Sequence, residues 1–216
     1  MMMTHQIQEM VGSEVQMLKT FKNIILILSL LFLSSCSAIS VSHYKNQGVD
    51  FLNDGYYEDA IDSFDRALLL SDGAVGRMQF DILLYKAEGL FLIGEYEKAN
   101  HIYDSLLKID NKNKVYEELF NKSKAYIKVI ELKDALNKDD VELSRKLIDE
   151  IKQLGLGTDR AVEFNEAVYL ERSGRWEEAK NAFADYFIKY SSDKIAEKEL
   201  EFLNTRVTSK NRSRNN

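Results

Sequence analysis

Very few side chains in this sequence are equipped for chemistry, and they do not converge. The three histidines, His5, His43 and His101, share no ligand-type spacing with a cysteine or with regularly placed carboxylates, so no zinc or two-metal arrangement is expected. No nucleophile elbow or phosphate-cradling glycine loop occurs, and Gly155 and Gly157 in Leu154-Gly155-Leu156-Gly157 read as a link between helices. Acidic residues are many but fall on solvent-facing helix positions. No catalytic residue, metal or cofactor is therefore expected, and the chain reads as a non-enzyme. The one cysteine, Cys36, excludes an intramolecular disulfide and leaves a single thiol to be explained.

The setting of Cys36 explains it. From Met17 the chain carries Lys19 and Lys22, then an apolar run from Ile24 to Leu33 broken only by Ser29, then Ser34-Ser35-Cys36. This is the layout of a secretory signal peptide, and a run of about ten residues falls short of the roughly twenty that a membrane-spanning helix needs. Leu33-Ser34-Ser35-Cys36 resembles the bacterial lipobox, which implies cleavage before Cys36 and a diacylglyceryl group on its sulfur. The alternative is an ordinary thiol after a signal peptide cut elsewhere. Acyl chains contribute about 0.8 kcal/mol per buried methylene, so two or three of them anchor a domain firmly. Glu9 and Glu14 do not suit a basic leader, so residues 1–16 are expected to precede the true start or to be disordered, 17–35 to be the signal peptide and 36–41 the lipidated tether.

The anchored body must be helical. Proline is absent, glycine is sparse, and Leu, Lys, Glu, Ala and Asp recur at helical spacing. A formal net charge of -6 argues against a nucleic-acid partner, since such binders gather positive charge on one face. Three segments superimpose without gaps: Gly55-Tyr56-Tyr57-Glu58-Asp59-Ala60 with Phe64, Gly94-Glu95-Tyr96-Glu97-Lys98-Ala99 with Tyr103, and Gly174-Arg175-Trp176-Glu177-Glu178-Ala179 with Phe183. Each glycine is expected to end a first helix in a left-handed conformation. The acids that follow open a second helix, where its dipole favours negative charge. Gly48, Ala87 and Ala167 are expected to face Ala60, Ala99 and Ala179 across the hairpin.

This pattern resembles the tetratricopeptide family. The resemblance implies an all-α, solenoid-like array of about four antiparallel helical hairpins, near 41–74, 80–113, 114–158 and 160–193 within a domain spanning 42–205. The third hairpin is degenerate, with Leu132 and Ala135 in its first helix and Asn137-Lys138-Asp139-Asp140 in place of a glycine turn. A capping helix over 194–205 would cover the last repeat, and 206–216 is expected to be a disordered basic tail.

In such arrays the first helices line a groove for protein segments. Carried over, the groove would comprise Lys45, Val49, Leu52 and Asn53, then Leu84, Glu88, Phe91 and Leu92, then Phe164, Val168, Glu171 and Arg172. The same Leu84, Phe91, Leu92 and Phe164 could instead pack against neighbouring helices. About five residues, Ser37 to Val41, separate lipid from array and span at most roughly 18 Å, so partners are expected among membrane-proximal envelope proteins or their peptide segments. Ser37 is not the aspartate that retains lipoproteins in an inner membrane. The resemblance therefore implies the outer membrane in a two-membrane cell and the outer leaflet of the cytoplasmic membrane in a one-membrane cell. The expected role is a scaffold or adaptor. The alternatives are a solute- or peptide-binding lipoprotein and an auxiliary subunit of an envelope assembly or wall enzyme, and the oligomeric state is left open.

Overall fold

The computed structural model describes Lys22 and the backbone of residues 40–214, with side chains as far as Val207. Cys36, residues 1–16 and the leader apart from Lys22 lie outside the described residues. Every regular element among the described residues is a helix: α1 (40–54), α2 (Tyr57–Leu70), α3 (Arg77–Leu92), α4 (Tyr96–Ile109), α5 (Lys114–Asn137), α6 (Val141–Gln153), α7 (Arg160–Arg172), α8 (Trp176–Lys189) and α9 (Lys194–Arg214). No helix among them is long and apolar enough to cross a membrane. The chain divides into two compact units, one ending at Gly89 and the other beginning at Leu90.

The tetratricopeptide-like hairpins expected from the repeats are present, and one backbone device makes their bends. Gly55, Gly94 and Gly174 have φ of +83°, +86° and +74°. Past each, an amide bonds back five residues: Tyr56 to the Phe51 carbonyl at 2.9 Å, Glu95 to Leu90 at 2.9 Å and Arg175 to Leu170 at 3.0 Å. These bonds satisfy carbonyls that a helix end leaves without partners. The third hairpin lacks the glycine but keeps the bend, because Asp139 takes the left-handed place at φ +54° and Asp140 donates to the Ala135 carbonyl at 2.9 Å. The side chains of Asn113, Asp140 and Asp159 accept backbone amides at the starts of α5, α6 and α7.

In the first unit, Val41, Ala60, Phe64, Ala67 and Ile82 form the core, with Tyr44, Val49, Phe51, Leu52 and Tyr85 packed against it. Gly48 has a further role here. A β-carbon on it would stand 2.5 Å from the Phe64 ring, so the small residue makes room for Phe64. Gly89 performs a similar service that the sequence reading overlooked, since a β-carbon there would lie 3.1 Å from Ile61.

In the second unit, α5 dominates. Its 24 residues make it about 36 Å long, while α4 and α6, with 14 and 13 residues, reach only about 20 Å. One partner cannot cover it. α4 runs along its N-terminal half, where Asn100 donates to the Phe120 carbonyl at 3.0 Å and to the buried Ser123 hydroxyl at 2.8 Å. α6 and α7 pack on its C-terminal half around Leu132, Ala135, Leu147, Ile148, Ile151 and Val162. A second cluster joins α7, α8 and α9 through Ala167, Ala179, Phe183, Tyr186, Ala196 and Leu203. Ala167 and Ala179, expected to face each other, are both wholly buried in this cluster.

The boundary drawn at residue 205 falls inside α9, which runs on to Arg214 where a disordered tail was expected. The reason lies in Val207, which is buried and continues the row begun by Leu200 and Leu203, and in Arg206, whose guanidinium lies 4.9 Å from the Trp176 ring and 5.1 Å from Phe202.

Candidate functional site

The step in partnership along α5 opens a cleft. Where α4 begins, the cover from its side ends, and Tyr126, Val129, Ile130 and Lys133 line the cleft at i, i+3, i+4 and i+7 along the C-terminal half of α5. On one side stands the bend between α3 and α4, with Tyr96. On the other stand Asp159, Arg160, Ala161, Phe164 and Asn165 at the start of α7, Tyr186 near the end of α8, and Asp193 and Ile195 at the start of α9. These residues enclose about 550 Å³, inside the usual range for ligand-binding clefts. Ile130 is 50% exposed and supplies apolar surface that no described residue fully covers, whereas Val129 belongs to the buried core shared by α5, α6 and α7.

Aromatic rings form one wall. The Tyr96 and Tyr126 rings lie 5.0 Å apart with a tilt of 31°, and Phe91 stands edge-on behind both at 5.0 and 5.1 Å. Tyr126 donates its phenol proton to Asp159 Oδ2 at 2.6 Å. Burial, and then that bond to a carboxylate, push its ionisation upward, and Tyr96 is raised by burial and by the Asp159 charge. Both phenols are therefore neutral donors across the physiological range.

The opposite wall is held by a charged knot. Arg160 donates from Nε to the Tyr186 phenol at 3.0 Å and from its terminal nitrogen to Asp193 Oδ2 at 2.9 Å, while Tyr186 donates to the same oxygen at 2.7 Å. The phenol proton and the guanidinium hold the Asp193 carboxyl down at about 2. Phe164 is wedged between Phe183 and Tyr186, each ring centroid 5.5 Å away. The walls are thus fixed before any ligand arrives, which lowers the ordering cost of binding. No group of His, Cys, Asp and Glu among the described residues could hold a metal ion.

The groove inherited from the tetratricopeptide pattern coincides with this cleft only at Phe164. Lys45 is tied to Asp81 at 3.3 Å and lies 5.9 Å from the Tyr85 ring, Val49 and Leu52 pack on the first unit's core, and Asn53 is exposed. Leu84 is half-buried, Glu88 and Leu92 are exposed, and Phe91 backs the two tyrosines. Val168 packs into both core clusters of the second unit. Arg172 pairs with Asp139 at 3.0 Å, and burial raises the Glu171 carboxyl. The floor of the cleft comes from the degenerate third hairpin, which the sequence reading left out of the groove. A signal for it is present in the sequence, since Tyr126 and Ile130 lie on one helix face and Val129, Leu132, Ala135 and Leu136 on another, more apolar surface than one partner needs.

No family model and no curated protein sequence matches the chain. Among solved structures it is similar to a tetratricopeptide repeat protein from Parabacteroides merdae, with 16% identity over 80% of this chain and 75% of that chain and a TM-score of 0.45. It is also similar to MamA of AMB-1, with 13% identity over 79% of this chain and 84% of that chain and a TM-score of 0.42. A MamA chain from Desulfovibrio magneticus RS-1 aligns at 14% identity, over 78% of this chain and 86% of that chain, with a TM-score of 0.39.

Proposed function

We propose that the protein is a binding module of the bacterial cell envelope, held to a membrane by lipid on Cys36, that takes a segment of another protein into the cleft along α5. The observation that carries the binding role is the face of α5 that bears Tyr126, Val129, Ile130 and Lys133, half-exposed at Ile130, between the two walls of the cleft. Its i, i+3, i+4, i+7 spacing is what one helix presents to another, and its length of about 10 Å suits two turns of a partner. Half-exposed Ile130 and the aromatic wall would bury apolar surface, the main favourable term in such association. The anchor is supported by the leader sequence around Cys36.

A photoreactive amino acid at position 130 in cells should form adducts with a discrete partner, whereas the same group at exposed Glu131, on the neighbouring helix face, should not. Equal yields at both positions would contradict the assignment. Metabolic labelling with an alkynyl fatty acid should mark the wild-type chain and leave Cys36→Ala unlabelled.

A further inference from the structure

We infer that the end of the cleft bounded by Tyr96, Tyr126 and Asp159 seats a basic side chain, lysine or arginine, of the bound protein segment, an assignment that rests on the cleft holding such a segment. Asp159 is the acid of the cleft without a counter-ion. Its Oδ2 accepts the Tyr126 phenol at 2.6 Å and its Oδ1 the Ala161 amide at 2.9 Å, and no lysine or arginine among the described residues pairs with it. The cleft's other acid, Asp193, is matched by Arg160 at 2.9 Å. Arg160 itself is drawn toward Tyr186, Asp193 and the Tyr190 ring, 5.3 Å from its guanidinium carbon. Lys122 stands 5.0 Å from the Phe91 ring and makes no ion pair with Asp159.

The seat therefore offers one carboxylate and two tyrosine rings lying 5.0 Å apart. Ring faces attract a cation within about 6 Å, and the carboxylate adds a charge-assisted hydrogen bond. A lysine or arginine also brings a methylene stem that can lie along Val129 and Ile130 while its head reaches the acid. A carboxylate occupant would meet like charge, and a neutral one would leave Asp159 partly desolvated with nothing returned.

The test titrates the full chain with n-butylguanidinium, n-butylammonium, pentanoate and pentanol, following the Tyr96 and Tyr126 ring resonances by NMR. The two cations should give saturating shifts and the other probes should not. Asp159→Asn removes the charge but keeps a good helix-capping residue, so it should fold, and it should weaken the cations about tenfold. Tyr96→Leu, which leaves the cap untouched, should weaken them about threefold. No saturating shift with either cation, equal binding of pentanol or pentanoate, or undiminished affinity in Asp159→Asn overturns the seat. Such results would leave the crosslinking at position 130 unchanged, so loss of the seat and loss of the binding role are separable.

Discussion

Gly48→Ala sets two ordinary effects against each other, and the geometry decides between them. Within α1, alanine is favoured over glycine by about 1 kcal/mol of helix propensity, so an isolated α1 would be stabilised. In the folded chain the new methyl would lie 2.5, 2.8 and 2.9 Å from three carbons of the Phe64 ring, against about 3.5–4.0 Å for relaxed carbon contacts. Phe64 is wholly buried and stacked on Tyr85 at a centroid distance of 6.0 Å, so the ring has nowhere to retreat. Overpacking of this kind costs about 1–3 kcal/mol, or more when the surroundings are rigid. The net expectation is a loss of about 1–2 kcal/mol, read as a lower urea midpoint with an unchanged slope. The double variant Gly48→Ala with Phe64→Leu should lose less than the sum of the two single changes, because the shortened side chain vacates the contested space. A Gly48→Ala chain as stable as the wild type would refute the close approach of α1 to Phe64.

Other perturbations probe the bends, the charged knot and the last helix. Asp139→Gly should gain up to about 1 kcal/mol by relieving a left-handed non-glycine residue, offset in part by loss of the exposed pair with Arg172, as measured by urea unfolding. Asp193 has a lowered pKa, so its contribution is present above the unfolded carboxylate value and fades as pH falls from about 4 toward about 2. Asp193→Asn should accordingly flatten the acid limb of the stability curve. Glu171 has the opposite shift, caused first by burial and then by Glu199, so its contribution is full at low pH and is lost as pH rises through its elevated pKa. Glu171→Gln should therefore raise the melting temperature at neutral pH and lose that advantage below about pH 4. Val207→Ala should cost about 1 kcal/mol and weaken hydrogen-exchange protection of α9, which a disordered tail would not do.

The hairpins were legible in the sequence because each signal acts locally. Gly55, Gly94 and Gly174 occupy left-handed bends for reasons of backbone sterics that need no tertiary information. Asp139 was legible only in part, because aspartate tolerates that conformation without announcing it. The cleft was much less visible. It depends on how far α4 slides along α5, and that register is set by the hydrogen bonds of Asn100 to the Phe120 carbonyl and the Ser123 hydroxyl, contacts between residues twenty or more positions apart. The extra turns at Lys114 to Lys124 are legible as a lengthened first helix of the third hairpin, but the face that those turns leave open is not. The tail was misjudged because Val207 looks isolated until Leu200 and Leu203 are placed on its face.

Thiol-labelling rates along α5 test the open floor of the cleft most directly. In a Cys36→Ser background, single cysteines at positions 130 and 132 would be exposed to a small maleimide under native conditions. Labelling should be rapid at 130 and strongly retarded at 132, where Leu132 is wholly buried. Protection at 130 equal to that at 132 would mean that another part of the protein already covers the stripe, and the cleft would not exist.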